Sequence, residues 1–589
     1  MKQRISAFSE KVFSTKEISG IGAAKVLKGK LARALNFLGR SFAYSSTRSY
    51  GCFLLSFGLF SVFLNLGEYY FADEPEIAIP LAIGVALAVL SVPLLIFDKP
   101  MCISLQDFSL TDYLLFEFFS IKRMHRNVTH VSISPLLAIF LGFIPAIVGF
   151  FVSIQWVILA LLIIVVAVVA FTTPEFSMIL TLLALPYIPF FPSPKEEIIL
   201  VSLLLVTLLS FVIKVAIGKR VYNLDIYDVL IALMILFIFI GGIAGYGDDS
   251  FKNSLVKIVL LLGYFPAANL ITNRRLADCA INAVIISAVP ITALAIFEFF
   301  LGEPGFLPVV SYVPPYELSK NVSVFFSSSS VLAAFLLVSS LLTLSFFIQK
   351  KNKYKKAFYL AVFVIELFAL GLVMQPAAWL AIILVALAYF IISSRKIPTD
   401  LLLWFIILPH LLLLLPTKVL DAVAKFLGIF PLYSQKLNSY KEALSVFLDN
   451  TFLGVGIGKE SYLDASGGAA PTFNNILGMA TELGIVVLAL FLVAVILRLR
   501  HISYYRTYVR TSHVRVADDT TALVMLALLI FGIDAYIFAD TTVFYLFWVM
   551  FGVCTSTLRT AKKEYDDRLS YYGDSRSAES SVIDVQIQK

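Results

Sequence analysis

Three glycines at alternate positions, Gly454, Gly456 and Gly458, run directly into Lys459 and Glu460. Such spacing lets the backbone adopt positive φ and approach a ligand closely. Alone it does not define a nucleotide site, because no strand-to-helix context surrounds it. Further on, Asn474 and Asn475 open an apolar run, and Glu482 lies about two turns inside it. An acid within an apolar helix is costly; it marks function by default, with a packed structural acid as the plain alternative. Glu366, the most deeply placed acid of the chain, raises the same two readings. Asn474 and Asn475 are either helix caps, for which Asn is well suited, or polar ligands. His410 beside Pro409 and the pair Asp534 and Asp540 around a late turn add further ionisable groups.

The elements that must carry these residues follow from composition. Of 589 residues 59% are apolar and 14% charged, against about 45–50% and about 25% in soluble domains. Apolar runs near bilayer length recur throughout, separated by short polar breaks. Backbone polar groups in lipid must be satisfied within the segment, which requires helices here because no barrel-like alternation occurs. The expected spans are 50–67, 77–97, 134–153, 155–172, 174–191, 197–217, 226–245, 254–272, 277–300, 324–348, 358–374, 376–393, 400–416, 474–497, 520–538 and 542–558. Several hairpins are short, so the expected fold class is an all-α polytopic membrane protein of about 12–16 transmembrane helices. The four cysteines, Cys52, Cys102, Cys279 and Cys554, have no paired spacing and suggest neither disulfides nor a zinc site. The net charge of +7 does not imply nucleic acid, since in such a chain the location of charge matters more than its sum.

Location is informative. Lys2, Arg4, Lys11, Lys16, Lys25, Lys28, Lys30, Arg33, Arg40 and Arg48 make the N-terminal arm basic. If that arm is cytoplasmic, the basic loops at Lys122–Arg126, Lys219–Arg220, Arg274–Arg275, Lys350–Lys356, Arg395–Lys396 and Arg498–Arg515 all fall on its side, with the tail from Arg559. The opposite loops hold Glu68, Asp73, Glu74, Glu76, Asp248, Asp249, Glu303 and Glu317. Both termini are therefore expected in the cytoplasm, with one long extracytoplasmic loop at 417–473. Within the 1–48 arm, residues 25–42 suit an amphipathic helix on anionic membrane lipids, or a solvated basic arm. A second interfacial helix is expected at 102–124, and the Ser-rich tail 559–589 is expected to be disordered. Between them lie N-terminal helices, 49–200, and a core, 201–558.

The glycine segment has a family likeness. Asp449-Asn450-Thr451-Phe452-Leu453-Gly454-Val455-Gly456-Ile457-Gly458, then Phe473-Asn474-Asn475-Ile476-Leu477, then Thr481-Glu482-Leu483-Gly484-Ile485 resembles the signature region of the O-antigen ligase and O-antigen polymerase superfamily. Those membrane glycosyltransferases show "P-L-x-G-x-G-x-G", "H-N-x-x-L" and "E-x-G-I" in this order. Phe325–Ala333 is similar to the family's "N-P-N-x-x-A", and Met374-Gln375-Pro376-Ala377-Ala378-Trp379-Leu380-Ala381 to its "S-R-G-A-W-L-A". The likeness covers roughly residues 200–558. It departs at Phe473, where the family has histidine, at Gln375-Pro376, where it has the serine–arginine pair, and at Lys436 and Tyr440, where Arg and Trp are usual.

The resemblance implies transfer or polymerisation of a glycan carried on a polyprenyl diphosphate, at the outer face of a bacterial cytoplasmic membrane. Its partners would be that lipid-linked glycan, an acceptor glycan or lipid, and membrane lipids. No nucleotide sugar, cofactor or metal is implied. Cationic groups must stabilise the diphosphate leaving group, and a base should take the acceptor proton. Lys436, Lys441 and Lys459 could replace the missing arginine as point charges, or be solvated loop lysines. Glu482 and Glu460 are the candidate catalytic bases, and His410 a candidate substitute for the missing histidine. Gly454, Gly456, Gly458, Asn474, Asn475, Gln375 and Trp379 are candidate substrate-binding positions. The chain is then either a divergent enzyme or a relative that no longer catalyses. The rival classes are a transporter or flippase, against which the lack of an internal repeat counts, and a scaffold in an envelope glycan-assembly complex.

Overall fold

The computed structural model describes residues 16–18, 44–71, 78–119, 121, 123, 133–191, 195–247, 249–301, 322–393, 430–458, 474–505 and 512–560. Among the described residues ten helices are long and apolar enough to cross a membrane, and four shorter apolar ones accompany them. The protein is an all-α polytopic membrane protein. The span expected at 400–416, the arm helix at 25–42 and the tail from 561 lie outside the described residues. Every other expected span overlaps a helix, but 254–272 is divided between Ser250–Leu262 and Tyr264–Leu270, 174–191 ends in a 3-10 turn from Leu185, and the helix within 520–538 stops at Phe531.

The chain divides into two units. One comprises Ser19–Ser177 and Leu209–Val221. It contains α1 (Thr47–Phe71), α2 (Ala78–Ile96), α3 (Pro135–Val152) and α4 (Ile154–Thr172). Small residues let these helices touch backbone to backbone, as lipid-embedded helices commonly do. A Cβ on Gly58 would lie 2.6 Å from the Gly84 carbonyl oxygen, and one on Gly142 only 1.9 Å from Ser56 Oγ. Between α2 and α3, the stretch expected as one interfacial helix is instead a short helix, Met101–Asp107, and a π-helical turn, Asp112–Phe118. Extended backbone at Phe108 separates them, and ion pairs Lys99–Asp107 and Arg123–Asp112 brace their ends.

The other unit comprises Met1–Ile18, Met178–Leu208 and Tyr222–Lys589, so it begins ahead of the boundary expected at residue 200. Within that stretch Tyr187 donates a 3.0 Å hydrogen bond to the Ser287 carbonyl. Helices α5 (Pro174–Ala184) and α6 (Lys195–Ala216) contribute to both units. They are followed by α7 (Ile226–Ala244), α8 (Ser250–Leu262), α9 (Tyr264–Leu270), α10 (Arg274–Leu301), α11 (Ser329–Gln349), α12 (Lys353–Leu372) and α13 (Pro376–Ser393). A helix within the long loop, α14 (Phe430–Asp449), precedes α15 (Asn475–Tyr505), α16 (Ser512–Phe531) and α17 (Thr541–Thr560). Because most of their side chains are buried, α17 and α11 form the centre of this unit rather than its lipid-facing wall.

At one end of the unit lies a polar knot. Asp225 and Asp228 form a capping box at the start of α7, and Arg559 from the end of α17 pairs with Asp225 and lies 3.6 Å from Asp228. Arg559 also donates to the Ala268 carbonyl at 3.0 Å, at the end of α9. Beside this knot, Lys16–Ile18 pairs antiparallel with Tyr222–Leu224, which the sequence does not foretell. Arg559→Ala would leave two buried carboxylates without their cation. We expect a loss of about 3–5 kcal/mol of stability, measurable by chemical denaturation in detergent micelles.

Candidate functional site

At the opposite end of the same unit, α15 is broken. Gly484 has φ 76° and ψ 176°, so the helix is interrupted just after Glu482 and Leu483. A continuous helix would pair the carbonyls of Thr481 and Glu482 with amides four residues on. Instead those carbonyls accept from Val455 N at 2.8 Å and Gly456 N at 3.1 Å, while Ile485 N donates to the Thr451 carbonyl at 2.8 Å. The glycine turn thus replaces the helical bonds that the break removes, which a buried backbone requires.

The glycines make this crossing sterically feasible. A Cβ on Gly484 would stand 2.2 Å from the Phe452 carbonyl oxygen, and one on Gly454 would stand 2.5 Å from that of Glu482. Gly454, Gly456 and Gly458 all have positive φ. On its far side the turn is held by α7 and α8. Tyr246 N donates to the Val455 carbonyl at 2.8 Å, and Asn253 Nδ2 to the Ile457 carbonyl at 3.0 Å. The close approach allowed by the glycines is therefore to protein backbone.

The break directs Glu482 toward the turn between α16 and α17. Its carboxylate accepts a 2.5 Å hydrogen bond from the Tyr536 hydroxyl. Gly478 makes room for the Tyr536 ring, which a Cβ there would meet at 2.7 Å. Lys257, on α8 and only 6% exposed, donates to the Phe538 carbonyl at 2.5 Å and the Ala539 carbonyl at 2.9 Å. It also stands 4.5 Å over the Phe544 ring, and its charge interacts with those of Glu482 and Asp540. Burial raises the Tyr536 phenol well above its ordinary value, and the adjoining Glu482 charge raises it further.

The Phe325–Ala333 segment reaches this turn, and the Met374–Ala381 segment reaches Phe325–Ala333. Ser327 Oγ, from the Phe325–Ala333 segment, lies 2.9 Å from Asp540 Oδ2, and Gln375 Nε2 donates to Ser329 Oγ at 3.1 Å. Asn474 caps α15, accepting from Ile476 N at 2.8 Å and Leu477 N at 3.0 Å, and donates to the Ile533 carbonyl at 3.1 Å. Asn475 accepts from Phe538 N at 3.1 Å.

Other expected positions are less engaged. Trp379 is 40% exposed, and Lys441 is exposed on α14. Lys436 lies on α14, with its side chain outside the described residues, as are Lys459, Glu460 and His410. Asp534 sits in the α16–α17 turn, where its amide donates to the Phe531 carbonyl at 3.1 Å. The sequence reading missed Lys257 and Tyr536. Lys257 carried a signal, a lone cation several residues into an apolar run; Tyr536 carried none. Among the described residues no cluster of His, Cys, Asp and Glu could hold a metal ion. No protein family's sequence profile matches this chain, and no characterised protein matches it significantly.

Gly484→Ala should destabilise the protein by at least about 2 kcal/mol through positive φ and the clash with Phe452. Gly67→Ala, on a helical residue with nothing within 4 Å of the added Cβ, should be neutral or stabilising by up to about 1 kcal/mol. Thermal unfolding in micelles separates the two. Tyr536→Phe should cost about 1.5–3 kcal/mol through loss of the bond to a charged group. Because the folded state favours the neutral phenol, that contribution should be complete below about pH 10 and should fall as pH rises past it.

Proposed function

We propose that this chain is an O-antigen ligase- or polymerase-like membrane protein, transferring or polymerising glycan from a polyprenyl-diphosphate carrier. The observation that carries the reading is the broken α15, whose glycine-stitched gap holds Glu482 against Tyr536 and toward Lys257. A discontinuous helix within a membrane bundle is tolerated where it is buried in protein or lines a polar site. In the proposed reaction an acceptor sugar hydroxyl attacks the anomeric carbon of the carried glycan. The new glycosidic C–O bond forms as the bond to the diphosphate breaks. The hydroxyl proton passes to Glu482, and the electron pair leaves with the polyprenyl diphosphate. Lys257 supplies positive charge and fixes the turn; Lys436, Lys441 and Lys459 are the cations nearest in sequence for the leaving diphosphate.

We place this site at the outer face of a bacterial cytoplasmic membrane, with both termini cytoplasmic. The support is that the glycine turn lies at the end of its unit opposite Arg274, Arg275 and Lys350, as the basic-loop bias requires.

The test is deletion of the gene followed by analysis of surface glycan and lipid-linked intermediates. Loss or shortening of the glycan with accumulation of the lipid-linked precursor is expected. Glu482→Gln should restore no more than about one-hundredth of the activity, the scale expected for removal of a proton acceptor. Unchanged glycan and precursor pools on deletion would overturn the reading. Full complementation by Glu482→Gln and Lys257→Met together would reject the site and favour a scaffold.

A further inference from the structure

A second constellation lies on α10, α11 and α12, away from the glycine turn. Glu366, on α12, is 0% exposed about midway along its helix. One carboxylate oxygen accepts from Ser339 Oγ of α11, and the Thr343 hydroxyl, one turn along α11, also bears on the carboxylate. No ion pair reaches Glu366 among the described residues. Uncompensated charge at this depth is costly, and buried acids in membrane bundles mark ion or proton pathways.

Polar pairs continue from this acid toward one end only. Tyr359, about two turns before Glu366 on the same face of α12, donates to Asn282 Oδ1 of α10 at 2.8 Å. One turn further, Asp278 of α10 pairs with Lys350 of α11 at 3.3 Å, and these side chains are 20% and 24% exposed. On α11 itself Ser339, Thr343 and Phe346 share one face, with Phe346 against the Tyr359 ring and under the ammonium of Lys350, the residue that caps the end of α11. Toward the other end α11 is apolar from Val331 to Val338. The result is a one-sided polar column, open at Asp278–Lys350 and ending at Glu366.

We propose that Glu366 is a proton-binding site, loaded and emptied from the Asp278–Lys350 end by way of Asn282, Tyr359 and Thr343. A single carboxylate with two hydroxyls offers too few oxygens to replace the hydration shell of a metal cation, whereas a proton needs only one. The titratable groups that face the column are Asp278 from α10, Lys350 from α11 and Tyr359 from α12. The helices α13 and α16, which also pack on α11, carry Tyr389 and Asp519 at the Lys350 end. The proposal is independent of the glycan-transfer reading, since none of these residues belongs to the Glu482 site.

The experiment is infrared difference spectroscopy on the full chain in lipid nanodiscs between about pH 5 and about pH 9. A protonated-carboxyl carbonyl band, absent from Glu366→Gln, is expected at low pH, and the protonated-to-ionised ratio should fall about ten-fold per pH unit through the transition. Ser339→Ala should shift that band by removing its hydrogen bond, which keeps the assignment testable if Glu366→Gln does not fold. Tyr359→Phe should retain the band but slow its response to a pH jump several-fold. A band that persists unchanged to the alkaline limit, or that never appears, would overturn the proposal. A response unaltered in Tyr359→Phe would reject the route.

Discussion

A membrane-embedded helix cannot lose its internal hydrogen bonds unless something replaces them. That constraint governs the most distinctive part of this protein. At Gly484 the chain leaves helical geometry inside a buried segment, and the orphaned groups are taken up by Thr451, Val455 and Gly456. The alternate glycines are explained by this pairing, because a Cβ on either side of the crossing would collide with the opposite backbone. The conformation of Glu482, the position of Tyr536 and the seat of the glycine turn on α7 and α8 all follow from the same junction.

The turn between α16 and α17 is the second partner in that arrangement. It is held by side chains from four directions: Asn475 from α15, Lys257 from α8, Tyr440 from α14 and Ser327 from the segment before α11. None of these bonds is local in sequence. Their common effect is to fix a short irregular segment that has few helical bonds of its own. The knot of Asp225, Asp228 and Arg559 does comparable work at the other end, joining the first residues of α7 to the last turn of α17. Both ends of two long helices are thus tied by buried polar groups, while apolar packing fills the length between them.

The chain holds two buried acids with different surroundings. Glu482 sits among a phenol, a lysine and backbone amides close to a helix break, where charge can be balanced by neighbours. Glu366 sits inside intact helices with hydroxyl groups alone. Taking a proton from a substrate, as proposed above, suits the first environment, and reversible proton uptake the second.

Much of the architecture was legible in the residues. Apolar run length specifies the spans because lipid offers no hydrogen bonds to an irregular backbone, so composition and spacing alone define an all-α bundle. The glycine triplet, the Asn pair and Glu482 were visible as unusual residues at unusual depths. What they touch was not visible. Whether the glycines approach a ligand or a helix, and whether Asn474 binds or caps, depends on partners far away along the chain. Lys257 looked like an isolated cation in an apolar run, and Tyr536 like any aromatic residue near a turn. Sequence determined which segments enter the membrane, since that depends on transfer of each segment by itself. Only the tertiary structure decided which polar groups meet, because hydrogen bonding across a bundle is set by the packing of helices from distant parts of the chain.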